Sequence, residues 1–151
     1  LVGKLIAEEK FRALDTTAKV LIGSEHGDLH GNNIIVSQRG AVLIDFAHYR
    51  GRTEQGVPML DLAKLLVDTW HWGGLKHSLQ DLIGARVFQR GAFRSLVSLA
   101  FTKYPLPPDE QRLWAAAVSC IAAEHLTYPG TSPAHKKEIT DTLRRFNWNV
   151  P

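Results

Sequence analysis

Most of the second half of the chain carries apolar residues at helical spacing. Between Leu60 and Trp72 the apolar positions lie three or four residues apart, and two glycines end the pattern at 73 and 74. Proline-rich segments at 105–108 and 129–133 separate later helical stretches. We therefore expect helices over about 60–72, 75–84, 86–103, from about 109 through Leu126, and 134–146, with another amphipathic helix over 1–14.

Two short runs rich in β-branched residues interrupt this helical pattern early in the chain. The runs cover 34–37 and 41–46, and Gln38, Arg39 and Gly40 lie between them. A glycine at this place suits the positive φ of a tight turn. The pattern predicts a β-hairpin that brackets residues 34–46, and hence a mostly α fold with one small hairpin, of the α+β class.

Length and composition indicate one globular domain. The 151 residues are 44% hydrophobic and 22% charged, so a buried core is expected and disorder is excluded. We expect a lead-in helix and strand over 1–25, a polar loop and hairpin over 26–46, and a helical subdomain over 58–146.

Charge, hydropathy and cysteine content indicate which ligands, partners and cell compartment suit this chain. The chain has 18 Lys and Arg against 15 Asp and Glu, which gives a net charge of +3 without blocks of like charge. A nucleic-acid partner is not expected, although an anionic ligand would be favoured. No apolar run reaches the 18 residues of a membrane span. The single cysteine, Cys120, cannot form an internal bridge, which favours the cytoplasm.

Candidate chemistry is concentrated in residues 26–33 (HGDLHGNN), which we call the polar loop. Asp28 and Asn33 lie in this loop, and Asp45 ends the second run of the hairpin. Because a hairpin folds residue 45 back toward the loop, these three side chains can converge on one point. Their oxygen atoms suit Mg²⁺, and a carboxylate beside the ion can orient a hydroxyl group and accept its proton.

The same residues resemble a known family. His26-x-Asp28-x-x-x-x-Asn33, followed by Leu43-Ile44-Asp45-Phe46, is similar to the catalytic and metal-binding loops of the aminoglycoside/choline-kinase-like phosphotransferases, which share the protein-kinase fold. The close match covers about 40 residues. The helical remainder suits the C-terminal lobe of that family.

The resemblance implies a role for each matching residue. Asp28 corresponds to the catalytic base, and Asn33 and Asp45 to the ligands of Mg²⁺ on the phosphates of ATP or GTP. His26 corresponds to a structural residue that holds the loop. Asp61 corresponds to a buried aspartate that opens the next helix and braces the loop.

Two further interpretations concern residues near these positions. The resemblance leaves His30 either packed within the loop or close to the nucleotide phosphates. Ala47 stands where many members carry a second acidic residue, which leaves a second metal site without that ligand.

A second departure from the family pattern concerns nucleotide binding. Residues 1–25 contain no glycine-rich phosphate loop and no strand lysine with a partner glutamate. We therefore expect the N-terminal nucleotide lobe to be missing from this chain, by truncation or by natural loss, and the isolated chain to be inactive. The implied partners are a nucleotide and a small-molecule or protein hydroxyl acceptor whose identity stays open.

Two alternatives from other classes remain at this point. The chain could be a catalytically inactive kinase-like binding module, which the missing lobe favours. It could instead be a metal-dependent hydrolase, because His26, Asp28 and His30 alternate as nitrogen and oxygen ligands suited to Zn²⁺. The remaining helical histidines show no spacing that predicts a site; they are His71, His77, His125 and His135.

Overall fold

A short antiparallel hairpin precedes a group of packed helices in the computed structural model, which describes residues 22–51, 56–73, 75–86 and 108–146. The helix predicted over 1–14 lies outside the described residues. So does the helix predicted over 86–103, apart from its first residue.

The predicted hairpin is confirmed. Strand β1 (Ile34–Ser37) pairs with strand β2 (Gly40–Leu43), with Ile34 opposite Leu43 and Ser37 opposite Gly40. Gly40 has a φ of +123°, which a residue with a side chain rarely adopts. The second strand ends three residues earlier than predicted, because Asp45 leaves the extended conformation with a φ of +60°.

Four helices make up most of the remaining described structure, and the mostly α prediction with a small hairpin is confirmed. They are α1 (Pro58–His71), α2 (Leu79–Ile83), α3 (Pro108–Glu124) and α4 (Pro133–Arg145). The helix starts differ from prediction by one to four residues. Three of the helices, α1, α3 and α4, begin at a proline. Proline suits this position because its φ is already helical, and because a backbone N–H in the first turn has no partner inside the helix.

Side-chain caps precede two of the helices, α2 and α4. Ser78 accepts a hydrogen bond from the backbone N–H of Asp81, and the Asp81 carboxylate accepts one from the Ser78 N–H, which forms a capping box before α2. Ser132 caps α4 by accepting from the His135 N–H. These bonds satisfy N–H groups that have no partner inside a helix.

The hydrophobic core lies among the four helices, away from the hairpin. Trp114 of α3 is fully buried, and its indole N–H donates to the Leu82 carbonyl over 2.6 Å. By contrast, Val36 in the hairpin is 77% exposed. The large, fully buried apolar side chains are those of Trp114, Leu79, Leu82, Ile83, Ile139, Leu143, Val67 and Val118. Among the described residues, no helix is long and apolar enough to cross a membrane.

Candidate active site

The polar loop is fixed at its start to the segment that follows the hairpin. The backbones of Glu25 and Arg50 exchange two hydrogen bonds of 2.8 Å, and those of Gly23 and Gly56 exchange bonds of 3.0 and 2.9 Å. The buried Glu25 carboxylate accepts from the Val57 N–H over 2.7 Å, directly before α1. The loop and the first turn of α1 are therefore held together.

Asp61 in the first turn of α1 holds the backbone just before Asp28. One carboxylate oxygen accepts from the His26 N–H at 2.6 Å, and the other accepts from the Gly27 N–H at 2.9 Å. Hydrogen bonds to a charged acceptor are stronger than those to a neutral one. This pair of bonds sets the direction in which the chain enters Asp28.

The His26 ring connects the polar loop to the end of the hairpin. Its Nε2 lies 2.8 Å from the Ile44 carbonyl oxygen, and its ring packs 4.7 Å from that of Phe46. Because a carbonyl only accepts, Nε2 carries the hydrogen. Within the described part of the chain, the buried Nδ1 has no hydrogen-bond partner. The ring therefore takes a buried position beside the Asp45 segment.

Gly27 permits the close approach of two backbone segments. Its φ is +84°, and a Cβ atom at this position would lie 2.3 Å from the His48 carbonyl oxygen. No side chain fits at such a distance, so this place in the loop requires glycine.

Asn33 lies between Asp28 and the residue before Asp45. Its side-chain amide donates to the Asp28 carbonyl over 2.9 Å, and its own carbonyl accepts from the Ile44 N–H over 3.0 Å. Asn33 ends a short 3-10 turn, and its N–H donates to the His30 carbonyl. The structure thus brings Asn33 into contact with Asp28. It also binds Asn33 to Ile44, the residue directly before Asp45.

Asp45 follows the hairpin in a left-handed backbone conformation. Its φ of +60° is uncommon for a residue other than glycine, although aspartate tolerates it better than most. Such conformations concentrate at functional sites. In the described structure the exposed Asp45 carboxylate makes no hydrogen bond or ion pair, so its oxygens are available to a ligand.

The Asp28 carboxylate lies between two nitrogen-bearing side chains. Its Oδ1 is 3.5 Å from Lys64 Nζ of α1, and its Oδ2 is 3.5 Å from His30 Nε2. The other ring nitrogen of His30 accepts from the Asn32 N–H at 3.3 Å. His30 is thus packed within the loop and contacts Asp28.

Lys64 is itself anchored by a second carboxylate one turn further along α1. Its Nζ lies 3.3 Å from Asp68 Oδ2, and Asp68 Oδ1 lies 3.0 Å from His125 Nε2, just after α3. Burial by itself raises the pKa of Asp68, but the hydrogen bond with His125 and the charge of Lys64 outweigh it and hold that pKa below its ordinary value. Asp68 is therefore an anion with a partner on each oxygen.

Three histidines, which we call the histidine cluster, gather at the end of α1, where the sequence predicted no site: His71, His125 and His135. The ring of His71 stacks on that of His125 at 4.2 Å, and the His135 ring lies 5.2 Å from His71. His71 is buried. Burial lowers the pKa of His71, and the positive charge that His125 and His135 can carry lowers it further, against the opposing charge of Asp68.

Asp28 borders a polar cavity between the polar loop and the ends of α1 and α3. The cavity has a volume of about 290 Å³. An adjoining cavity of about 310 Å³ shares part of its wall with the first. The first is lined by Asp28, His30, Asn32, Lys64, Asp68, Trp72, Ile121, Glu124, His125 and Tyr128.

The zinc-hydrolase alternative is not supported by the positions of its three residues. His26 directs Nε2 at a backbone carbonyl and lies buried against Phe46, whereas His30 contacts Asp28. Among the described residues, no three or more histidine, cysteine, aspartate or glutamate side chains form a group that could hold a metal ion. The alternating spacing does not bring the three side chains to one point.

Several residues around Asp28 escaped the sequence analysis. Lys64, Asp68 and His125 reach the cavity, and Glu25 joins the polar loop to α1. A signal for the first two was present, because Lys and Asp four residues apart on a helix form an ion pair. His125 had no such signal, since it meets Asp68 only through the packing of α3 on α1.

Comparison with known proteins places the chain in a family. The model of the phosphotransferase enzyme family matches residues 7–96. Searches of curated proteins and of solved structures return no match. The matched range includes the polar loop, the hairpin and α1, which hold Asp28, Asn33, Asp45 and Asp61. The chain therefore belongs to the phosphotransferase enzyme family.

Proposed function

We propose that this chain carries the acceptor-activating and metal-binding part of a nucleotide-dependent phosphotransferase. The observation that carries the proposal is the position of Asp28: its carboxylate borders a cavity of about 290 Å³, and its backbone is bound by Asn33. Family membership supports phosphoryl transfer as the reaction class. The acceptor is a hydroxyl group that enters the cavity beside Asp28.

In the proposed step, the acceptor oxygen forms a bond to the γ-phosphorus of ATP or GTP. The bond between that phosphorus and the bridging oxygen breaks, and the nucleoside diphosphate leaves. The hydroxyl proton passes to Asp28, which also orients the hydroxyl for attack. Asp61 and His26 act indirectly, by holding the loop that carries Asp28.

Asn33 and Asp45 are the proposed ligands of Mg²⁺. Their chemistry fits a hard cation, because one offers an amide oxygen and the other a carboxylate without a partner in the described structure. The hydrogen bond between Asn33 and Ile44 sets the two ligands on adjoining segments. When bound, the ion would offset the negative charge of the nucleotide phosphates.

The wider setting of this site is also part of the proposal. Residues 1–151 correspond to the C-terminal lobe of a kinase-like enzyme, and a separate lobe would cover the nucleotide.

His30 lies beside Asp28, which supports a position of the His30 ring near the transferred phosphoryl group. The cytoplasm supplies both nucleotides and suits a chain with one cysteine.

The proposal is tested by comparing Asp28→Asn with Asp45→Asn in the protein expressed from its complete gene. Asp28→Asn removes the proton acceptor, so kcat should fall by about 10²–10⁴-fold while Mg-nucleotide binding persists. Asp45→Asn replaces a charged metal ligand with a neutral one, so Mg-nucleotide affinity should fall together with the rate. Calorimetric titration with Mg-ATP and Mg-GTP measures binding. Transfer of a labelled γ-phosphoryl group to amine-bearing sugars, simple sugars, choline-like alcohols and protein hydroxyls measures the rate.

Asp141→Asn is the matched control, because Asp141 is a carboxylate on α4 whose partner is Lys137. This variant should bind and react as the unmodified protein does. If Asp28→Asn abolishes Mg-nucleotide binding while Asp45→Asn preserves it, the two roles are exchanged. If neither substitution changes binding or transfer, the site lies elsewhere, and the binding-module alternative gains support.

A further inference from the structure

The side chain of Lys64 joins Asp28 to a second carboxylate that the proposed reaction does not use. Lys64 Nζ is 3.5 Å from Asp28 Oδ1 and 3.3 Å from Asp68 Oδ2. We propose that Lys64 is a positioning residue that holds one oxygen of Asp28 and thereby keeps the other directed to the acceptor hydroxyl, an inference that rests on the proposed function.

The support for Lys64 comes from two helices. Asp68 lies one turn after Lys64 on α1, and only 12% of its side chain is exposed. Its second oxygen is occupied by His125, which follows α3. With both oxygens occupied, Asp68 has little freedom to rotate, so it fixes the far end of the Lys64 side chain. The orientation of Asp28 in the polar loop thus depends on the packing of α3 against α1.

The two oxygens of Asp28 have different partners, which gives them different tasks. Oδ1 faces the ammonium group of Lys64. Oδ2 lies 3.5 Å from the His30 ring, at the wall of the cavity. Both contacts are 3.5 Å long, but Lys64 is anchored by Asp68 whereas His30 lies in the polar loop, so a hydroxyl group can replace the contact to His30 and leave the contact to Lys64 in place. Oδ2 is therefore the oxygen that accepts the proton.

The orientation of Asp28 can be measured directly in the 151-residue chain. Three-bond couplings from the Asp28 Cγ to its backbone nitrogen and carbonyl carbon report the χ1 angle by NMR. We expect one rotamer in the unmodified chain and in Lys64→Arg, which keeps the charge. In Lys64→Met, which keeps the length of the side chain without its charge, the couplings should average over several rotamers.

Lys137→Met is the matched control for this measurement. Lys137 and Asp141 form the same i, i+4 ion pair on α4, at 2.6 Å. Loss of that pair should leave the Asp28 couplings unchanged. The proposal is overturned if Asp28 keeps one rotamer in Lys64→Met, or if its rotamers already average in the unmodified chain.

Kinetics of the protein expressed from its complete gene separate positioning from nucleotide binding. Lys64→Met should lower kcat by about 10²-fold with an unchanged KM for Mg-ATP, and Lys64→Arg should restore most of the rate. A raised KM at an unchanged kcat would assign Lys64 to the nucleotide and refute the positioning role. If Asp28→Asn retains full transfer, the proposed function itself fails. If transfer depends on Asp28 but not on Lys64, only the present inference fails.

Discussion

At the scale of single residues, the direction of Asp28 depends on groups that bind the backbone around it. Asp61 accepts the two N–H groups before it, and Asn33 donates to its carbonyl. Each is one specific side chain at one specific distance, so a small change in the loop backbone moves the Asp28 carboxylate. Gly27 is the position at which this dependence is easiest to test.

Gly27→Ala should destabilise the polar loop. The new methyl group would meet the His48 carbonyl at 2.3 Å, and the backbone has a φ of +84°. Conformational strain of this kind costs about 1–3 kcal/mol, to which the steric clash adds. Urea unfolding followed by tryptophan fluorescence measures the loss. Gly31→Ala is the control, since Gly31 lies in the same loop with no atom within 4 Å of its added methyl group among the described residues. Equal losses in both variants would contradict this account.

At the scale of elements, α1 has two faces with different tasks. Its polar face contributes to the candidate site, and its apolar face packs in the hydrophobic core. Asp61, Lys64, Asp68 and His71 recur three or four residues apart, so they lie on one side of the helix. Asp61 binds the polar loop, and Lys64 and Asp68 reach the cavity. His71 belongs to the histidine cluster. The opposite face buries Leu66 and Trp70 in the core. A shift of α1 would therefore disturb stability and site geometry together.

The histidine cluster predicts that acid weakens the packing of α1 against α3 and α4. Because the pKa of His71 is lowered below its ordinary value of 6.5, the unfolded chain binds more protons than the folded chain as pH falls through this region. The contribution of His71 to the free energy of unfolding is present above pH 6.5. It is lost as pH falls toward the lowered pKa that His71 has in the folded chain. Asp68, whose ordinary pKa is 3.8, loses its contribution only at more acidic pH.

Thermal unfolding between pH 5 and pH 8 tests the His71 prediction. His71→Phe keeps a ring against His125 but cannot bind a proton, so its melting temperature should fall less on acidification than that of the unmodified chain. His48→Phe alters an exposed histidine outside the cluster and should keep the original pH dependence. A His71→Phe profile parallel to that of the unmodified chain would show that protonation of His71 does not drive the acid loss.

At the scale of the whole molecule, the proposed function predicts that nucleotide binding needs groups besides those of the described helices and hairpin. Residues 1–25 carry no glycine-rich phosphate loop. Without backbone N–H groups and a lysine over the phosphates, positioning and charge stabilisation are incomplete. Residues 1–151 alone should therefore turn over little or no Mg-ATP. Release of labelled phosphate and transfer to the acceptor panel measure this, and robust ATP-dependent phosphorylation by these residues would contradict it.

The sequence by itself determined the local features of this protein. The turn between the two β-branched runs predicts the hairpin, and apolar periodicity with proline boundaries predicts the helices. The spacing of Asp28, Asn33 and Asp45 predicts the family, since the residue types and distances along one segment carry that information. These features depend on neighbours close in the chain, which is why a pattern suffices to find them.

Tertiary structure alone decided which distant side chains support Asp28. Lys64 lies 36 positions after Asp28 in the numbering, and Asp68 and His125 are 57 apart. Each meets its partner only because α1 packs against the polar loop on one side and α3 on the other. The same packing gathers the three histidines. Such contacts depend on the rotation and depth of one helix against another, which apolar periodicity along the sequence does not define.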